Sequence, residues 1–455
     1  MKSPFFNLYR KFPISFQNIF ISAYGIKLYY IRYGKFFREQ LKILEEKDTS
    51  DLESEIVLQN AGVQDIVQYA YNYSPFYHDL YRGIDISQIR TADDLKKLPI
   101  IDKEIFRSNL HNIYTIPKNK AELVFTGGTT GKSLEIRYLR SDLQRRLAYL
   151  INFEKQHGVL PGMRRASFNG RQFIDMHQSK KIFWRYNYIR KQKLYSTFNM
   201  TDNNMGYYIE DLNRFKPEVI NGFVSAIYLL ADYALRNKIT FTFSPIAVFT
   251  TSETLLPFHR EKIEKAFRCP VRDQYASGEG APFITECKYG NLHYDISTGA
   301  IESLKTDYGN EMLVTSFTTH GTPLIRYRIG DMWEPSDELC PCGNCHPLVK
   351  KIEGRNVDFL YSPENGIISL SHLADVIKGM PNCICNMQFI QHKKDSLLVL
   401  MVVDKNIYSQ KYEDMVFDEL RYRFGNKMNI QIKIVDNIPV GPSGKYRLIL
   451  RDENI

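Results

Sequence analysis

Thr126-Gly-Gly-Thr-Thr-Gly-Lys-Ser133 has the composition of a turn that holds phosphate. Glycines let backbone N–H groups close on an anion, hydroxyls add donors, and the lysine adds charge. The string falls one residue short of a P-loop, which needs glycine where Thr126 stands. Around it, from about 121 to 335, short β-rich runs such as Ile246–Thr250 alternate with helical stretches such as Ser225–Arg236. That alternation argues an open α/β sheet with helices on its faces. Near the far end, Pro442-Ser-Gly-Lys445-Tyr-Arg447 sets a lysine on a glycine-containing turn, free to swing.

Three further strings lie between these loops. They are Tyr275-Ala-Ser-Gly-Glu279, Pro323-Leu-Ile-Arg-Tyr-Arg-Ile-Gly-Asp331 and Gly354-Arg355-Asn-Val-Asp358. In this order and chemistry the five resemble the adenylate-forming enzymes, most closely the phenylacetate–coenzyme A ligase-like family. Within it, the branch of capsular-polysaccharide biosynthesis is nearest. The resemblance runs from about residue 55 to the C-terminus. It implies a large α/β domain and a small mobile α+β domain carrying the catalytic lysine. The expected division is an aromatic and basic arm over 1–54, the large domain over 55–355 and the lid over 356–455.

The resemblance also implies roles. Thr126, Gly127, Thr129, Thr130, Gly131 and Lys132 would close over the phosphates of ATP. Tyr275 would stack on adenine, since an aromatic face matches a purine face, and Glu279 would hold Mg2+, a hard cation suited to carboxylate oxygen. Asp331 would accept hydrogen bonds from the ribose hydroxyls, and Arg355 would reach ribose or phosphate. Ser252 and Glu253, within Thr251-Ser-Glu253, resemble another nucleotide-side turn. Lys445 would sit between an incoming carboxylate and the α-phosphate, where catalysis is mostly charge neutralisation and positioning. The chain departs from the family pattern at Ala276, Gly278 and Val357.

The activity implied is ATP-dependent activation of a small carboxylic acid as an acyl-adenylate, then transfer to coenzyme A. An amine or a sugar is the alternative acceptor, which would make an amide- or ester-forming ligase of surface-polysaccharide assembly. A second class is a non-catalytic scaffold that binds nucleotide on the same fold. No G-x-S-x-G or H-E-x-x-H string occurs, so hydrolase and zinc-protease readings have no footing.

Cys287, His293, Cys340 and Cys342 offer thiolates and an imidazole suited to tetrahedral Zn2+, with Cys345 as a substitute ligand. The competing reading is a cluster of ordinary thiols. Seven cysteines, unevenly placed, fit a reducing compartment, and the absence of a signal-peptide pattern makes the expected location cytoplasmic. A net charge of +9 suits polyanionic ligands; nucleotides and coenzyme A meet it, and no nucleic-acid motif accompanies it.

Residues 1–45 crowd aromatics among cations, with no acid before Glu39. An interfacial segment on an anionic membrane has this composition. The reading preferred over it is a helical arm whose aromatics pack on the body. The sequence leaves the oligomeric state open.

Overall fold

A computed structural model describes residues 9, 11–125, 134–170, 173–174, 180–306, 309–355, 359–369, 373, 383–405, 407–441 and 446–452. Packing divides the chain into two compact units. One comprises Met1–Ala23, Pro161–Val271 and Glu353–Ile455, the other Tyr24–Leu160 and Arg272–Ile352.

The first unit holds the expected open sheet. Its strands are β1 (Arg165–Asn169), β2 (Trp184–Asn187), β3 (Gln192–Ser196), β4 (Val219–Phe223), β5 (Ala247–Thr251) and β6 (Val271–Arg272). They lie in the order β2-β3-β1-β4-β5-β6. The pairs β3/β1, β1/β4 and β4/β5 are parallel, and β2 runs antiparallel at the edge. Parallel strands need helical crossovers that cover both faces, so their side chains read as apolar runs. Ala166, Phe168, Ile220 and Val248 are accordingly buried with residues of the helices Asp202–Phe215 and Val224–Arg236.

The second unit is built on a seven-stranded sheet. Its strands are β7 (Gln274–Tyr275), β8 (Ile284–Glu286), β9 (Leu292–Tyr294), β10 (Gly299–Thr306), β11 (Gly309–Ser316), β12 (Tyr327–Ser336) and β13 (Leu348–Arg355), in the order β10-β11-β12-β13-β9-β8-β7. Helix Leu52–Tyr73 begins where the Asp51 carboxylate accepts the Ser54 N–H at 3.1 Å. It ends at Ser74, whose hydroxyl caps the next helix with Pro75 at its first position. Proline breaks the helix there because it restricts the residue before it.

Apolarity alone predicts one buried face made of Ile56, Leu58, Ala61, Val63, Ile66, Val67 and Ala70, and the structure departs from it. Val63, Ile66, Val67 and Ala70 are buried, but Ile56 and Leu58 point to solvent and Glu55 is buried. The stripe traced back from Ala70 at helical spacing passes through Gln59 and Glu55. Polar contacts hold both: Gln59 donates to the Gly299 carbonyl, and Glu55 pairs with Lys47 at 2.6 Å.

After Phe359 the chain forms the expected small α+β assembly. Strands β14 (Ile384–Lys393), β15 (Ser396–Val403), β16 (Asn429–Ile434) and β17 (Ile449–Arg451) make a sheet in the order β16-β15-β14-β17. Helix Gln410–Phe424 buries Val416, Leu420 and Phe424 in its core.

Candidate active site

Gly330-Asp331 interrupts a strand, and that interruption aims the aspartate. Glu311 pairs with Met332 and Leu313 with Arg328, so β12 carries extra residues against β11. A bulge of this kind turns a side chain out of the sheet's alternation. Gly330 adopts φ +84°, a backbone state that favours glycine. Asp331 Oδ2 then accepts a 2.6 Å hydrogen bond from the Tyr275 hydroxyl at the end of β7. Two residues distant in sequence, expected at adenine and ribose, are in direct contact.

Glu279 follows four residues after Tyr275 and is 6% exposed. The turn carrying it is pinned on both sides. The Tyr138 hydroxyl donates to the Gly278 carbonyl at 3.2 Å. Arg146 donates to the Gly280 and Ala281 carbonyls at 2.8 and 3.1 Å, and to the Thr318 hydroxyl at 2.9 Å. Ser277 Oγ accepts the N–H groups of Gly280 and Ala281. Gly280 has φ +106°, and a Cβ there would lie 2.3 Å from Thr319 and 2.5 Å from the Tyr138 hydroxyl. Burial pushes the Tyr138 phenol up to about 12; Arg146 opposes this, and Glu279 adds to it. Burial lowers the pKa of Arg146, against the pull of Tyr138 and Asp142.

Asp142 lies one helical turn before Arg146 on helix Arg140–Gln156. Its carboxylate accepts the His320 backbone N–H at 2.8 Å and faces His320 Nδ1 at 3.0 Å, while Asp65 faces Nε2 at 2.9 Å. Burial alone would lower the imidazole pKa; the two carboxylates overcome that and raise it from 6.5 to about 9. No motif announced Tyr138, Asp142, Arg146 or His320. The available sign was polar residues one turn apart on a helix buried along that face.

In the other unit, Ser252 stands at φ +69° just after β5. Such conformations cost about 1–3 kcal/mol outside glycine and persist where the surroundings enforce them. Glu253 Oε2 accepts the Ser225 N–H at 2.7 Å, at the start of helix Val224–Arg236. Its Oε1 accepts the Ser225 hydroxyl at 3.0 Å and the Tyr446 N–H at 3.2 Å. A carboxylate suits the positive end of a helix. Glu253 therefore ties that helix to the residue following Lys445. Thr126, Gly127, Thr129, Thr130, Gly131, Lys132 and Lys445 lie outside the described residues, as does the side chain of Arg355.

Cys287, His293, Cys340 and Cys342 come together, with all four ligand atoms within 4.8 Å of one another. The Cys287 and Cys340 sulfurs are 3.7 Å apart, and Cys342 Sγ is 3.4 Å from His293 Nε2. Zn–S bonds of about 2.3 Å in a tetrahedron place sulfurs about 3.8 Å apart. His293 Nδ1 lies 3.0 Å from the His346 carbonyl, which can only accept, so this partner favours the tautomer that leaves Nε2 for a metal. Burial opposes ionisation of Cys340, but hydrogen bonds, first from Asn291, pull its thiol down, while burial and the neighbouring sulfurs push Cys342 up. These residues fit a closed Zn2+ site. Cys345 is not among the four; its N–H bonds the Thr49 carbonyl. Glu55, Asp295 and His346 form a neighbouring polar cluster, with Lys47 on Glu55.

Residues 360–452 match the family model described as the CapK C-terminal domain. Protein CapK of Staphylococcus aureus is 39% identical over 449 residues, 98% of this chain and 99% of that protein. The phenylacetate–coenzyme A ligase of Thermus thermophilus is 21% identical over 440 residues, 88% of this chain and 95% of that protein. A 2-hydroxyisobutyryl-CoA ligase, solved in its postadenylation state with 2-HIB-AMP, matches with a TM-score of 0.70. It is 16% identical, covering 87% of this chain and 89% of that one, and shares the adenylate-forming fold.

Proposed function

The chain belongs to the CapK family, and from that premise we propose that it is an ATP- and Mg2+-dependent ligase. The carboxylate oxygen of a small acid attacks the α-phosphorus of ATP and pyrophosphate leaves with the electron pair of the broken P–O bond. The acyl-adenylate then passes its acyl group to an acceptor, and AMP leaves. The observation that carries this reading is the 2.6 Å hydrogen bond between Tyr275 and Asp331.

In this reading Tyr275 stacks on adenine while its hydroxyl orients Asp331 for the ribose. Glu279, buried in a braced turn, is the ligand for Mg2+, which when bound offsets phosphate charge. Arg355 and the loop carrying Thr126–Lys132 reach the phosphates, and Lys445 neutralises the approaching anions. A hinge after Gly354-Arg355 separates the 55–355 domain from the 356–455 lid. The protein works in the cytoplasm. Zn2+ held by Cys287, His293, Cys340 and Cys342 is structural, since four protein ligands leave no open position.

Coenzyme A is the first acceptor to test, and an amine or hydroxyl of a surface-polysaccharide precursor the second. Pyrophosphate release is measured against a panel of carboxylic acids, with each acceptor added in turn. One acid should give release above background, and the true acceptor should raise turnover. ATP binding with no release for any acid would favour the scaffold reading. Elemental analysis should find about one zinc per chain, and Cys340→Ala should lower stability more than ATP affinity.

A further inference from the structure

Helix Ile14–Arg32 is packed with its polarity reversed. Its inward side chains include Gln17, Asn18 and Ser22, and they serve strand β2 at the edge of the six-stranded sheet. Asn18 Oδ1 accepts the Tyr186 N–H at 2.9 Å, and Ser22 Oγ accepts the Tyr188 N–H at 3.0 Å. Gln17 Oε1 accepts from Arg185 Nε at 2.6 Å. The spacing suits the task. Alternate strand N–H groups lie about 6.6 Å apart, and helix positions i and i+4 about 6 Å apart. The helix thus closes the sheet edge with polar side chains.

What remains outside is apolar. Phe16, Ile19 and Phe20 recur at helical spacing and are 53%, 57% and 37% exposed. A helix resting on a protein body ordinarily presents charge to water. Beside it, the turn after β2 carries Tyr188 and Ile189, 58% and 52% exposed, followed by Arg190 and Lys191. The Ser22 hydrogen bond holds this turn against the helix.

The charge pattern names the occupant. Residues 1–38 contain seven cations and no acid, and residues 176–201 contain six cations and no acid. Among the latter, Arg185 is buried and Lys193 pairs with Asp211, while Lys180, Lys181 and Lys191 remain at the surface. Two acid-free stretches far apart in sequence meet at one apolar face. We propose that this face, formed by residues 14–23 of the helix and the turn Tyr188–Lys191, docks on an anionic membrane surface. Aromatics would enter the headgroup layer, with lysines against the lipid phosphates. A protein partner would more often be matched by mixed charge around an apolar centre.

The test uses the full chain and sedimentation with vesicles. Vesicles of phosphatidylglycerol and phosphatidylcholine in equal parts should carry the protein down, and phosphatidylcholine alone should not. Raising the salt should release it. Ile189→Asp and Lys191→Glu, both outside the helix, should each cut vesicle affinity at least tenfold, as should Phe16→Ser with Ile19→Ser. Melting temperature and pyrophosphate release without vesicles should stay unchanged. No sedimentation with the anionic vesicles, or equal sedimentation of wild type and variants, would overturn the proposal. So would a dimer in analytical ultracentrifugation that these substitutions dissociate, which would assign the face to a second copy of the chain.

Discussion

Glu279 and Glu253, one in each compact unit, are both expected at the nucleotide, and their surroundings differ in kind: one turn is braced through its backbone, and the other carboxylate bridges two segments. The turn of Glu279 is gripped from behind through the carbonyls of Gly278, Gly280 and Ala281 by Tyr138 and Arg146. Glu253 is gripped by its own carboxylate, which accepts from Ser225 and from the Tyr446 N–H. Bracing the backbone of the Glu279 turn fixes where its carboxylate can reach. The Glu253 carboxylate ties two backbone segments together. We infer that Glu279 acts on the reaction directly and that Glu253 positions the segment following Lys445.

Substitution of the two glutamates separates these roles. Glu279→Gln should lower acid-dependent pyrophosphate release by about 10²–10³-fold, the cost of losing one preorganised electrostatic contact. Glu253→Gln should lower it about tenfold, because the amide oxygen still accepts from Ser225 while a charge-assisted bond to Tyr446 weakens. Equal losses would break the contrast.

Arg146 sharpens it from the other side. Arg146→Met should destabilise the fold by at least the ~1–3 kcal/mol of one unsatisfied buried acceptor, read by denaturant midpoint. It should also lower pyrophosphate release in the fraction that remains folded, because the Glu279 turn loses its hold. Full activity in folded Arg146→Met would show that the bracing is not what positions Glu279.

The His320 cluster behind the same turn gives a pH signature. Its folded pKa of about 9 exceeds the unfolded 6.5. Its stabilisation is therefore fully present below pH 6.5 and lost as pH rises through 9. The groups facing the ring are Asp142, Asp65 and the Tyr69 side chain. On the order of 3 kcal/mol should disappear across that window. Thermal melts should show the decline in wild type and a flatter profile in His320→Gln. The Glu253 region has no equivalent histidine pair among the described residues, so local protection of Tyr446 should not follow this profile.

The strings that could be read in sequence are those whose chemistry is local. Gly330-Asp331 announces a turn with a carboxylate, and Ser74-Pro75 announces a helix end. Alternating β and helical runs announce the sheet. The bracing of Glu279 is not local: Arg146 lies 134 residues from Gly280, and Asp142 178 residues from His320. Nothing along the chain marks an ordinary helical arginine as the partner of a distant turn. On helix Leu52–Tyr73 apolarity alone would place Ile56 and Leu58 inside, whereas the buried position is taken by Glu55, whose partner is Lys47. On helix Ile14–Arg32 the aromatic content was plain, but its outward direction depends on hydrogen bonds to Tyr186 and Tyr188.

The central claim is that Tyr275 and Asp331 seat the nucleoside of ATP, and it can be tested without knowing the acid. Calorimetric titration of Mg2+–ATP should give saturable binding to wild type, stronger than for Mg2+–GTP. Asp331→Asn should weaken it about 10–100-fold and Tyr275→Phe about tenfold, in line with charged and single hydrogen bonds, while Glu253→Gln leaves it within about twofold. Absence of ATP binding to the wild-type protein, or equal affinity in Asp331→Asn, would contradict the account.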